Sequence, residues 1–151
     1  MVQYRHYWGM PEQQIFEGIL ALHHEVFMNA DHLRAKLSIV PNALVLVASQ
    51  KEEVVGYKIG YELTKDRYYS WYGAVSEEYR RRGIASELMK KQHQLIAEAG
   101  YTILETKTRN KWRNMLIANI KHGFDIVATF QDDEGIHRIT MEKRLVHEDI
   151  Q

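Results

Sequence analysis

Gly73-Ala74-Val75-Ser76-Glu77-Glu78-Tyr79-Arg80-Arg81-Arg82-Gly83-Ile84-Ala85-Ser86 is the stretch whose reading decides the fold. Its aromatic lead-in, residues 68–75, reads as a strand that ends at Val75. A polar turn follows, and a helix begins near Gly83. Ile84, Ala85, Leu88, Met89, Leu95, Ile96 and Ala99 then make one apolar helical face, and Gly100 stops it. The first N–H groups of a helix have no partner inside it, and the helix dipole adds partial positive charge there. An anion can rest on those amides where side chains leave room. Gly83 and Ala85 leave that room, and Arg80, Arg81 and Arg82 add counter-charge. The chemistry is that of a phosphate or pyrophosphate site. Three arginines taken alone would read as a solvated basic turn; their spacing before the glycine separates the two readings.

Outward from this turn, the period of the apolar residues changes repeatedly. Ile15, Phe16, Ile19, Leu20, Val26 and Phe27 form a helical stripe after Pro11. Asp31 is placed to cap a second short helix carrying Leu33 and Leu37, which must end near Pro41. Leu44-Val45-Leu46-Val47-Ala48 suits a buried strand, and Val54-Val55-Gly56-Tyr57-Lys58-Ile59 another. Residues 101–107 return to strand, 111–122 to helix, and 124–130 with 136–145 make a terminal hairpin across Gln131-Asp132-Asp133-Glu134-Gly135. The expected order is strand, two helices, three strands, helix, strand, helix, two strands. Such an order packs as an α/β domain, a mixed sheet with helices on its faces. A length of 151 residues suits one domain, 1–151.

Composition removes several function classes. No cysteine is present, so thiolate metal sites, disulfides and cysteine nucleophiles are absent from the chain. Twenty basic residues balance twenty acidic ones, which speaks against a nucleic-acid partner or an anionic membrane. No apolar run reaches the roughly 18–20 residues needed to span a bilayer. The expectation is a cytoplasmic domain. Eight histidines raise the question of a metal, but His23-His24-Glu25 lacks ligand spacing, and no metal is expected.

Arg80-x-x-Gly83-x-Ala85, after a strand ending Ala74-Val75 and before an amphipathic helix, resembles the acetyl-CoA signature of the GNAT superfamily. Glu77-Glu78-Tyr79-Arg80 looks like that family's usual loop, and Asn119-Ile120-Lys121-His122-Gly123-Phe124 is similar to the helix–Gly–Phe ending of its second motif. The element order matches across nearly the whole chain. The resemblance implies an acyltransferase fold whose strand carrying Gly73, Ala74 and Val75 splays from the strand near Tyr101. Backbone amides freed by the splay would bind the pantetheine arm. Arg80, Arg81, Arg82, Gly83, Ile84, Ala85 and Ser86 would hold the pyrophosphate, mainly through backbone N–H groups. Asn110 is placed either to cap the late helix or to touch the cofactor.

The implied reaction is N-acetylation, direct attack of a primary amine on the thioester of acetyl-CoA. An alkylamine has a pKa of about 10.4, so a base or a desolvating pocket must strip its proton. The Val75 amide is the candidate donor to the developing oxyanion. The resemblance departs at two places. Many members place a tyrosine four residues before the Gly of Gly–Phe, and here that residue is Asn119. Some relatives carry a glutamate six residues before the Val75 position, and here that residue is Tyr69. The candidate catalytic residues are therefore Val75, Tyr69 and Asn119. Glu62 and Glu105 are alternative bases acting through water, though each reads more simply as structural. Alternation along 68–72 sends Tyr69 and Trp71 to one face and Tyr68, Ser70 and Tyr72 to the other. Trp112 and Met115 read as core. The acceptor's identity is open, as is a homodimer. The same fold holding acyl-CoA without turnover, as a sensor, is the rival reading.

Overall fold

The computed structural model describes residues 1–145; the expected domain's last residues, 146–151, lie outside it. The elements run β1 (Gln3–Trp8), α1 (Gln13–Phe27), α2 (Ala30–Leu37), β2 (Leu44–Gln50), β3 (Glu53–Glu62), β4 (Arg67–Val75), a 3-10 turn (Glu77–Tyr79), α3 (Ile84–Glu98), β5 (Ile103–Thr108), α4 (Arg113–Lys121), β6 (Asp125–Gln131) and β7 (His137–Arg144). The order matches the sequence reading element for element, with boundaries moved by one to three residues. The strands form one seven-stranded sheet in the order β1-β2-β3-β4-β5-β7-β6. Every neighbouring pair is antiparallel except β4 and β5.

Two cores flank the sheet. On one face α1 and α2 bury Phe16, Ile19, Leu20, Leu22, Leu33 and Leu37 against Val45, Val47, Tyr57 and Ile59. On the other, α3 buries Ile84, Leu88 and Ile96 against Leu44, Leu46, Tyr68 and Leu104. The alternation of β2 and β3 residues between these cores is the period-2 rule, and it is why β2 reads as an unbroken apolar run.

One bulge departs from the alternation. Gly60 pairs with Ser70 and Ile59 with Tyr72, so Trp71 is the extra residue of β4. A Cβ at Gly60 would stand 2.6 Å from the Tyr69 carbonyl oxygen and 2.7 Å from Tyr68 Cε2, so only glycine fits there. The extra residue changes the face of everything after it. Tyr72 therefore joins Tyr69 and Trp71 on the α1 side, correcting the strict alternation expected above.

Three smaller expectations also fail. The α2 cap position is Asn29, not Asp31. Trp112, not Asn110, occupies the cap position of α4, and no side-chain cap bond forms there. Trp112 is 39% exposed rather than core, because α4 buries little beyond Asn119.

Candidate active site

The sheet opens where β4 meets β5. Arg67, Tyr68 and Tyr69 pair with Ile103, Leu104 and Glu105, and the ladder stops. A last tie, Thr106 Oγ1 donating to the Ser70 carbonyl at 2.9 Å, closes the joined end. Beyond it β4 runs on to Val75 along β3 alone, and β5 along β7 alone. The splay expected from the resemblance is present. Ser76 donates its N–H to Val55 O at 2.8 Å. Because successive strand N–H groups alternate edges, the Val75 and Gly73 N–H groups point away from β3, toward the gap.

The turn after β4 leads directly onto the start of α3. Gly83 holds the N-cap position at φ 80°, and no side chain caps the helix. A Cβ at Gly83 would meet nothing within 4 Å, so the first-turn amides open onto free space. Arg81 also adopts positive φ, at 65°. The arginines divide in role. Arg80 Nε donates to the Val75 carbonyl at 3.0 Å and pins the turn, while Arg82 lies over the Tyr79 ring, 4.8 Å from its centre. Ser86 and Ala85 are exposed on the first turn, and Ser86 Oγ lies 3.1 Å from His122 Nε2 at the end of α4. Asn110 is exposed in the link from β5 to α4.

Several buried polar atoms lack partners among the described residues: Gln92 Nε2, His93 Nε2 and Arg109 Nε. Buried donors without acceptors are costly, so a site holding them is suited to a polar ligand. The open amides at Gly83 and the splayed strand fit an elongated ligand with a phosphate head and amide groups along its arm.

Tyr69 and Asn119 are not brought together. Tyr69 lies on the α1 face, with Tyr61 5.5 Å and the Lys107 ammonium 5.6 Å from its ring centre. Burial, with Tyr61 and Glu105 nearby, pushes its phenol up to about 12. Asn119 sits on the α3 face, 3% exposed, its amide donating to Met141 Sδ at 3.7 Å. Glu62 accepts from Tyr101 Oη at 2.6 Å and Asn42 Nδ2 at 3.0 Å, and Glu105 pairs with Arg67 at 2.9 Å. Both carboxylates are held in structural bonds.

Two groupings escaped the sequence reading. On the α1 face Tyr57 donates to His23 Nδ1, His23 donates to Asn29 Oδ1, and Asn29 donates to Tyr72 Oη. Burial lowers the His23 pKa, consistent with a neutral ring relaying that chain. The chain pins the turn between α1 and α2 beside the gap, where Phe27 packs on both Tyr72 and Trp112. On the α3 face Lys58, His93, His122 and Lys143 converge from four elements. A lysine inside the apolar run of an internal strand was the one sequence signal for it. Among the described residues no group of three His, Asp or Glu side chains is placed to hold a metal ion.

Comparisons with known proteins agree with this geometry. A search of curated proteins finds no significant sequence match. Among solved structures, Ard1 from Thermoplasma volcanium superposes with a TM-score of 0.82 at 18% identity, covering 97% of this chain and 99% of that one. The ribosomal-protein-S18-alanine N-acetyltransferase of Escherichia coli superposes at 0.78 and 12% identity, covering 99% of each chain. A GNAT family acetyltransferase from Elizabethkingia anophelis, solved with acetyl-CoA bound, superposes at 0.74 and 16% identity over 95% of this chain and 98% of that one. At such identities these likenesses establish a shared fold. The sequence model of the Acetyltransferase (GNAT) family matches residues 5–124, most of the chain. The chain belongs to the GNAT family of acetyltransferase enzymes.

Proposed function

We propose that this domain, residues 1–151, moves an acetyl group from acetyl-CoA to a primary amine in the cytoplasm. The observation that carries the reading is the gap between β4 and β5 opening onto the uncapped start of α3. The residues there fit the cofactor. Arg81, Arg82, Gly83, Ile84, Ala85 and Ser86 hold the pyrophosphate, chiefly through first-turn amides. Arg80 contributes by fixing the turn. Gly73, Ala74 and Val75 line the arm, and Asn110 borders it from the β5–α4 link. When bound, acetyl-CoA supplies an acyl group activated as a thioester. The Val75 N–H, aimed into the gap, donates to an acyl oxygen gaining negative charge.

The amine approaches from the α1 face. Tyr61, Tyr69, Trp71, Tyr72 and Trp112 crowd that side, and such rings both desolvate an ammonium and attract it. Desolvation lowers an amine's pKa, so this face promotes loss of its proton without a dedicated carboxylate. The bound complexes and amine acceptors of fold neighbours support this direction: one is solved with acetyl-CoA, another named for the alanine of ribosomal protein S18.

A thiol-release screen tests the proposal, pairing acetyl-CoA with pooled alkylamines, aminoglycosides and peptides. Amine-dependent thiol release supports it. Tight CoA binding with no release across the pools would favour a sensor of the same fold.

A further inference from the structure

The cluster on the α3 face has no part in the reading above. Lys58 projects from β3 beneath Gly73: a Cβ added at Gly73 would stand 3.0 Å from Lys58 Cδ and 3.5 Å from its Nζ. Gly73 lies in the part of β4 that has left β5, so the Lys58 ammonium sits in the wall of the gap. Facing it are His93 from α3, His122 from the end of α4 and Lys143 from β7. From β5 the buried polar side chains on this side are Thr106 and Thr108, neither of which titrates. Loss of hydration is the one influence acting on Lys58, and it joins none of the ion pairs among the described residues.

The other groups on this side are engaged elsewhere or hold their protons too firmly to give one up. Lys143 donates to His93 Nδ1 at 2.8 Å. Burial first, then Lys143 and Lys58, pushes His93 down to about 3, so its ring is neutral. His122 is also lowered, by burial and then by Lys143, Lys90 and Lys58. Tyr68 gives its hydroxyl to the Asn42 and Gly60 carbonyls, and Asn119 gives its amide to Met141. Lys58 is the ammonium set directly against Gly73 in the wall of the gap, and among the described residues it has no hydrogen-bond acceptor.

We infer that Lys58 is a catalytic residue whose Nζ hands a proton to the sulfur that leaves as the acetyl group moves to the amine. This rests on the acetyl-transfer reading. The nitrogen–acyl carbon bond forms and the acyl carbon–sulfur bond breaks, its electron pair passing to sulfur. Lys58 gives that sulfur its proton. The proton shed by the attacking nitrogen restores Lys58 through solvent. Burial brings the Lys58 ammonium down to about 8, close to the roughly 8.5 of an alkyl thiol, so the transfer is nearly level.

The test titrates CoA bound to the wild type and to Lys58→Met, following thiolate absorbance against a sulfur-free CoA analogue. A neighbouring ammonium favours thiolate, so the bound thiol should ionise about tenfold more readily in the wild type. Identical titrations overturn the inference. In turnover with an accepted amine, wild-type kcat should fall above pH about 8 as Lys58 loses its proton; a kcat still rising there overturns it without any variant. Lys58→Met should lower kcat by about a hundredfold with the KM for acetyl-CoA changed less than about threefold. Equal losses in both constants would mark Lys58 as structural. Failure of the wild type to bind CoA would instead remove the acetyl-transfer reading and this inference with it.

Discussion

Replacing Lys58 by methionine should stabilise the protein. Lys58 is buried, and loss of hydration brings its pKa from 10.5 to about 8. At roughly 1.36 kcal/mol per unit, holding that group charged costs the fold on the order of 3 kcal/mol. For a base with a depressed folded pKa, the unfolded chain binds more protons between about 8 and 10.5. The cost is therefore fully present below pH 8, and stability recovers as pH rises through that window. Methionine keeps most of the stem that packs on Gly73 and has no charge to desolvate. Urea unfolding at pH 7 should show a higher midpoint with an unchanged slope. With about 2–4 °C per kcal/mol for a chain of this size, the melting point rises by roughly 6–12 °C. Near pH 10.5 the two proteins should converge. A variant less stable at pH 7, or a difference indifferent to pH, would refute the reasoning. A charge that costs this much and remains marks a position where stability has yielded to function.

Four further outcomes follow from the same geometry. Gly60→Ala should destabilise by about 2–4 kcal/mol in urea unfolding, since its Cβ meets the Tyr69 backbone at 2.6 Å and the bulge cannot yield. His93, held neutral down to about 3, gives stability that is present above pH 6.5 and lost as pH falls below it. Its share of that loss between pH 7 and 5 is about 2 kcal/mol, and His93→Gln should flatten the acid limb of an unfolding series. Asn119→Ala should cost kcat about tenfold or less, the value of one hydrogen bond, measured by thiol release. Tyr69→Phe should behave likewise, because its phenol is raised and far from the α3-face proton donors; a hundredfold loss would return a proton-transfer role to Tyr69.

The strand–turn–helix around Gly83 was legible because everything it needs is local. A strand end, a glycine with room around it, three arginines and an amphipathic stripe fall within residues 73–99. Element order was legible for the same reason, since each change of apolar period announces a new element. The face of Tyr72 was not, because it depends on a bulge that the crowding of Gly60 by Tyr68 and Tyr69 imposes across strands. Trp112 read as core because a large apolar residue on a helix usually is, but it stands at the cap position of α4, a helix whose one buried residue is Asn119. The basic cluster was the least legible part. Lys58, His93, His122 and Lys143 are separated by 21 residues or more along the chain and meet only through the packing of α3 and α4 on β3 and β7. Its one trace was a lysine where β3 is otherwise apolar.

The central claim is that the gap between β4 and β5, entered over Gly83, holds acetyl-CoA. Calorimetric titration of CoA into the wild type, Gly83→Ala and Gly83→Asp tests it directly. Both variants carry backbone strain at φ 80°, on the order of 1 kcal/mol and no greater for Asp than for Ala, and a Cβ there meets no neighbour, so both should fold. A carboxylate about 5 Å from a phosphate charge costs roughly 3 kcal/mol at an effective dielectric of about 20. CoA should therefore bind the wild type, bind Gly83→Ala nearly as well, and bind Gly83→Asp at least about 30-fold more weakly. No binding to the wild type at millimolar CoA, or equal binding to Gly83→Asp, would contradict the account.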